Sequence, residues 1–272
     1  MDAYLDFGGA PDAPIMHLAP ANGFPPEAYR PLAAALAPRY HVLGYRPRPL
    51  HPNTDPQAIT SWHPLADDLG RAAARLPGPL LGFGHSLGAI LTIYAALRNP
   101  GRFRALALCE PVLMPRRILF LLWLLRRFGQ EWRFPLARSA ARRREHFSDL
   151  AEARAHYGRR PFFDRFTPEA LDGYLEGGLH PSPDGGLTLA WPRAWEAKIF
   201  SLVPIDAWDA LSKLRIPVLI VRGNHSDLLT ESSMRELRRI PHVTVRALDA
   251  GHMLPMERPD DLAGQLLAWD GR

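Results

Sequence analysis

Lysine is nearly missing from this chain. Of 33 basic residues only Lys198 and Lys213 are lysines, so 31 are arginine, and the formal net charge is +5. That skew, alongside abundant alanine and proline, fits a compositional bias. No nucleic-acid-binding module accompanies it, so a nucleic-acid partner is not expected. Cysteine is represented by Cys109 alone. An intramolecular disulfide and a thiolate metal cluster are thereby excluded, and no metal site is expected. Cys109 lies in the apolar run "ALALC" and reads as an inert buried residue. Long hydrophobic runs are absent too. The stretch at 118–125 has eight consecutive apolar residues, well short of the ~20 that span a bilayer. The opening "MDAYLDFGGA" has neither a basic flank nor an apolar core. It is read as neither a signal nor a transit peptide, and the expectation is a cytoplasmic protein. There are no repeats or low-complexity tracts.

What is present is an alternation. "APIMHLA" reads as a strand, "PEAYRPLAAALA" as a helix, and "HVLGY" as a strand. "SWHPLADDLGRAAARL" reads as a helix with Ser61 as its N-cap. "PLLGFG" (strand), "SLGAILTIYAALRN" (helix) and "ALALCE" (strand) follow. The rhythm returns late with "PVLIVRG", "SSMRELRRI", "VTVRAL" and "PDDLAGQLLAWD". Near-continuous apolar strands separated by helices predict an α/β fold with a mostly parallel sheet covered by helices. Residues 1–110 and 210–272 are assigned to this core. Residues 111–209 break the rhythm, are rich in Arg, Trp and Phe, and read as a mainly helical insertion.

The segment "GHSLG" fits G-x-S-x-G, with Gly84, Ser86 and Gly88, and stands between a predicted strand and helix. That context is the one the motif requires. A sharp strand-to-helix turn projects the serine hydroxyl beyond the sheet edge. The helix N-terminus then aims the Leu87 N–H at a developing oxyanion. A glycine-rich turn with an N-cap serine is the non-catalytic reading, and the strand–turn–helix context favours the nucleophile. His85 is adjacent to Ser86 and is badly placed to act as its base, because neighbouring residues do not face each other. His252 follows the last predicted strand, on a loop at the same edge. Asp227 follows the preceding strand, in "PVLIVRGNHSDLLT". The order Ser86, Asp227, His252 matches Ser…Asp…His, with His252 as base and Asp227 fixing its tautomer.

On "GHSLG", "GNHSD", "GHMLPMERP" and "HLAPANGFP", the chain resembles the α/β-hydrolase superfamily, in particular its cap-containing serine hydrolases. The likeness implies an α/β-hydrolase fold with a helical cap insertion. It implies that Phe24 gives the second oxyanion N–H, opposite Leu87. Asn22 stands where relatives commonly have histidine, which leaves the bracing of that loop open. His17 reads as a satisfied structural histidine. After "HVLGY" the sequence has "GYRPRPLHP" where relatives often carry Asp-x-Arg-Gly-x-Gly; Arg46 matches the arginine. Some relatives place their acid after the strand that follows the nucleophile helix, so Glu110 is the second candidate for that role. Asp249 is too close in sequence to His252 to orient it well. His225 and Ser226 are read as loop scaffolding.

The expected activity is hydrolysis of a carboxylic ester with a lipophilic acyl group, through an acyl-enzyme and without a cofactor. A cofactor-free C–C bond hydrolase or a thioesterase is the alternative on the same residues; a non-catalytic binding protein is a third. Epoxide hydrolase and haloalkane dehalogenase are disfavoured, since those relatives have aspartate where Ser86 stands. The partner is a small-molecule, lipophilic substrate. The apolar run at 118–125 lies between arginine pairs and reads as a cap helix buried on the core, or as a contact to a lipid surface. Trp123, Trp132, Trp191, Trp195 and Trp208 read as aromatic lining over Ser86, or as core residues, the commoner place for aromatics. Positions 113 to 165 carry 13 arginines against five acids. Their run "ARSAARRREHF" reads as a solvated face, or as a lure for an acidic substrate group.

Overall fold

The apolar runs of the first 110 residues do form the predicted strands. In the computed structural model, which describes residues 3–269, they are β2 (Ile15–Ala19), β3 (His41–Tyr45), β4 (Leu80–His85) and β5 (Phe103–Cys109), preceded by a further short strand, β1 (Tyr4–Asp6). Helices α1 (Arg30–Leu36), α2 (His63–Ala73) and α3 (Leu87–Arg98) make the crossovers. The next elements are α4 (Arg116–Arg127), α5 (Pro135–Ala140), β6 (His146–Phe147), α6 (Leu150–Tyr157), α7 (Pro168–Gly178), β7 (Leu179–Pro181), β8 (Leu187–Leu189), α8 (Arg193–Ser201) and α9 (Ala207–Lys213). The chain closes with β9 (Val218–Gly223), α10 (Glu231–Leu237), β10 (Val243–Leu248), α11 (Leu254–Glu257) and α12 (Pro259–Trp269).

Seven strands make one sheet in the order β1-β3-β2-β4-β5-β9-β10, parallel throughout except for β1. Burial follows from period two. On β5, Leu106 and Leu108 enter one core, whereas Ala105, Ala107 and Cys109 enter the core on the other face. Helices cover both faces, so β4 is buried at every position. The parallel arrangement puts the C-terminal ends of β2, β4, β5 and β10 along one edge, where sites form in such sheets.

Local departures have local causes. Helix α2 begins at His63 after Trp62, with Pro64 in its first turn, and Ser61 stays outside it; Trp62 makes no side-chain cap. Proline has no N–H to cap, so the expected serine cap loses part of its purpose. The short antiparallel β1 was not legible, because three residues carry too little pattern. Between β5 and β9 the chain is mainly helical but also holds a three-stranded antiparallel sheet, β6-β8-β7. Helix α4 turns only Leu119 and Leu122 fully inward; Phe120, Leu121 and Trp123 are exposed. Among the described residues, no helix is long and apolar enough to cross a membrane.

Candidate active site

The turn from β4 into α3 sets the first piece of the site. Ser86 has φ +53, a left-handed value rare for a residue with a side chain. Its N–H donates to the Cys109 carbonyl at 2.9 Å, which holds the turn against β5. The glycines are steric requirements: a Cβ on Gly88 would sit 2.2 Å from the Ala19 carbonyl oxygen. Leu87 opens α3, so its N–H has no acceptor within the helix and points to the same edge as Ser86.

His252 lies on the loop between β10 and α11. Its Nε2 is 3.1 Å from Ser86 Oγ, and its Nδ1 is 3.0 Å from Glu110 Oε2. Contrary to the expectation from sequence, Glu110 and not Asp227 faces His252. Glu110 follows β5 directly, is fully buried, and has φ +48. Its Oε1 accepts the Gly223 N–H at 2.8 Å, and its Oε2 accepts the Ser226 hydroxyl at 2.5 Å. Asp227 is exposed, and its side chain has no hydrogen bond or ion pair among the described residues. The physical reason lies in the turn after β9. Buried Ser226 points at Glu110, and the next residue is thereby directed outward. His225, exposed, pairs with Asp249 at 2.6 Å, so neither of those two approaches His252.

Glu257 was not singled out from the sequence. Its carboxylate accepts the N–H of Gly251 at 2.7 Å and of Met253 at 3.3 Å, one on each side of His252. The signal available was only a glutamate five residues after the histidine.

His85 packs beside the turn, fully buried. The Tyr29 hydroxyl accepts the Ala21 N–H at 2.8 Å, so its proton goes to His85 Nδ1 at 2.7 Å. His85 Nε2–H is then left to donate to the His252 carbonyl at 3.0 Å. Burial, and then the neighbouring His252, hold the His85 pKa well below the ordinary value, against the opposing bond to the His252 carbonyl. The neutral ring thus links three loops at the sheet edge.

The loop after β2 has its own bracing. Gly23 adopts φ +79, and the Phe24 N–H closes the turn on the Ala21 carbonyl at 3.2 Å. Asn22 Nδ2 donates to the Glu196 carbonyl at 3.0 Å, so the first turn of α8 holds this loop. Phe24 N–H is therefore engaged in this state, whereas Leu87 N–H has no intrahelical acceptor.

His17 lies inside β2, fully buried, with both ring nitrogens lacking a hydrogen-bond partner. It is packed among Tyr4, Tyr45 and Phe103 rings. The expectation of a satisfied histidine is overturned. Burial pulls its pKa down to about 4, so it is neutral near pH 7. Arg46 pairs with buried Glu27 and so serves the loop scaffold.

A cavity of about 820 Å³ opens over Ser86 and His252. None of the seven tryptophans lines it. Its aromatic wall comes from Phe24, Tyr157, Phe162, Phe163, Tyr174 and Phe200, and arginines supply much of the rest. Trp191, Trp195 and Trp208 are buried elsewhere, and Trp123 and Trp132 are exposed. Among the described residues, no cluster of three or more His, Cys, Asp or Glu is placed to hold a metal ion.

Residues 18–265 match the alpha/beta hydrolase family. Solved structures with the same fold include an E-2-(acetamidomethylene)succinate hydrolase, with a TM-score of 0.77 and 21% identity over 100% of this chain and 99% of that one. A thioesterase domain from the curacin biosynthetic pathway has a TM-score of 0.74 and 21% identity, covering 96% and 93%. An M. tuberculosis esterase has a TM-score of 0.73 and 19% identity, covering 94% and 84%. No curated protein matches the sequence.

Proposed function

The chain belongs to the alpha/beta hydrolase family, and from that premise we propose that it is a serine hydrolase of carboxylic esters working through Ser86, His252 and Glu110. The observation that carries the reading is the hydrogen-bonded line from Ser86 Oγ through His252 to the buried Glu110 carboxylate. His252 Nε2 takes the serine proton as Oγ attacks the carbonyl carbon, and the C=O electron pair moves onto oxygen. Leu87 N–H receives that oxyanion, and Phe24 N–H joins it by releasing its long 3.2 Å bond to Ala21. Glu110 holds His252 in the Nδ1–H tautomer and stabilises the imidazolium. Collapse expels the alcohol, which takes the proton from His252. Water, deprotonated by His252, then splits the acyl-enzyme into a carboxylic acid and free Ser86. No cofactor takes part in these steps.

Residues 111–209 act as the cap in this reading, closing over Ser86 with apolar and aromatic groups suited to an acyl chain. The exposed Phe120, Leu121 and Trp123 of α4, between arginine pairs, fit a peripheral contact with an anionic lipid surface. Co-sedimentation with phosphatidylglycerol vesicles, lost in a Phe120→Ser/Trp123→Ser variant and absent with phosphatidylcholine, tests that contact. Equal partition to both vesicles, or to neither, contradicts it.

A fluorophosphonate probe tests the hydrolase reading. Labelling of the wild type, lost in Ser86→Ala and His252→Ala, is the expected result; an unlabelled wild type would support a binding protein instead. p-Nitrophenyl esters of increasing chain length, with thioesters alongside, then separate ester from thioester preference.

A further inference from the structure

We propose that the cavity over Ser86 contains an anion subsite, formed by Arg138, Arg142 and Arg160, which takes a carboxylate or phosphate carried by the substrate. In its choice of substrate the proposal rests on the hydrolase reading; the binding of the anion itself does not.

Positive charge outnumbers negative within this one concavity. Five arginines line it, at positions 138, 142, 143, 144 and 160, against one acid, Glu196. Glu196 is already engaged: its Oε2 lies 2.5 Å from Arg143. Arg143 also donates to the hydroxyls of Tyr157 and Tyr174, so it is tied into the wall. Arg144 is held from outside the cavity by Glu152 at 2.6 Å. Arg138, Arg142 and Arg160 have no carboxylate partner among the described residues. The polar contact of the Arg160 guanidinium is His156 Nε2 at 3.5 Å, itself not an anion.

Three guanidiniums on one concave wall repel one another and concentrate positive potential where a ligand enters. A guanidinium presents paired N–H donors that match the oxygens of a carboxylate or phosphate. His156, on the same wall, registers this field. Its pKa is lowered by burial first and then by Arg160, Arg144 and Arg143, with Glu152 opposing. Phe162 and Phe163 line the same cavity, so the substrate would present an apolar stretch as well as its charged end. The reacting carbonyl would lie at Ser86 and the anion at the arginines contributed by residues 138–160.

Calorimetric titration of the whole protein with glutarate, inorganic phosphate and neutral glutaramide tests the subsite. Glutarate or phosphate should bind, glutaramide should not, and binding should weaken as salt rises. Whichever anion binds more tightly identifies the chemistry preferred. Each of Arg138→Gln, Arg142→Gln and Arg160→Gln should weaken binding about tenfold, the order expected for one lost charge-assisted hydrogen bond. Arg159→Gln, on an exposed residue outside the cavity lining, should leave it unchanged. A kinetic arm compares the mono-p-nitrophenyl ester of glutaric acid with p-nitrophenyl valerate. The charged ester should have the higher kcat/KM, and only its value should fall in the three variants. Absence of anion binding, equal binding of glutarate and glutaramide, or indifference to all three substitutions overturns the subsite. A protein that labels with fluorophosphonate yet gives any of those results keeps its hydrolase reading and loses this one. A protein that binds glutarate through these arginines but never labels does the reverse.

Discussion

His252 Nδ1 stands 3.0 Å from Glu110 Oε2, a carboxylate one residue beyond β5, while Asp227 on the turn after β9 faces solvent. β5 is the direct neighbour of β4, whose end carries Ser86. The carboxylate therefore reaches His252 from the strand beside the one that carries Ser86 instead of from the next strand out. The left-handed backbone at Glu110 and the donors from Gly223 and Ser226 fix that carboxylate from several sides. The turn after β9 still contributes, but as a donor to that carboxylate.

Tyr29→Phe tests the link among the three loops. Removing the hydroxyl leaves the Ala21 N–H and His85 Nδ1 without partners in a buried place. Stability should fall by about 1–3 kcal/mol for each of these two groups, the desolvation cost of an unsatisfied buried polar group. The kcat should also fall, by roughly tenfold, because His252 and the loop after β2 lose their common brace. Urea denaturation and saturating ester kinetics read the two effects; unchanged kcat would make the chain of bonds purely structural.

His17 predicts a pH dependence of stability. Its folded pKa is about 4 against an ordinary 6.5, so the unfolded chain binds the proton first as pH falls. Above about 6.5 both states are neutral and nothing is lost. Between 6.5 and 4 stability drops, by about 3 kcal/mol in all from this group, at 1.36 kcal/mol per unit. His17→Phe removes that contribution, so its stability should decline less steeply over this window. Parallel curves for the two proteins, measured by urea denaturation at successive pH values, would contradict the assignment.

Two glycine substitutions should move in opposite directions. Gly88→Ala drives a Cβ to 2.2 Å from a backbone oxygen of β2, where no side chain can give way. The expected loss is about 3 kcal/mol or more, at or beyond the upper end for overpacking, with fluorophosphonate labelling reduced. Gly264→Ala, in α12 with open space around it, should gain about 0.5–1 kcal/mol from reduced chain entropy. Thermal unfolding of both variants checks the contrast.

The sequence carried the sheet well, because buried parallel strands such as "PLLGFG" and "PVLIVRG" have few alternatives. Ser86 was legible from local turn geometry, and His252 from its place after the last strand. The carboxylate that meets His252 was not, since strands β5 and β9 both end at the same edge and both offer a carboxylate. The choice depends on which residue of the β9 turn faces inward, and buried Ser226 takes that position. The cavity wall was left open for a related reason. Apolar composition did not decide that Trp191 and Trp195 pack into the core, that Trp123 is exposed, or that arginines line the cavity over Ser86.

The most direct measurement is ester turnover in Glu110→Gln beside Asp227→Asn, with folding of each verified by circular dichroism. Glu110→Gln should lower kcat by orders of magnitude, up to roughly 10⁴, as loss of the carboxylate removes tautomer control. Asp227→Asn should keep kcat near the wild-type value. Full activity in Glu110→Gln with a collapse in Asp227→Asn would contradict the account.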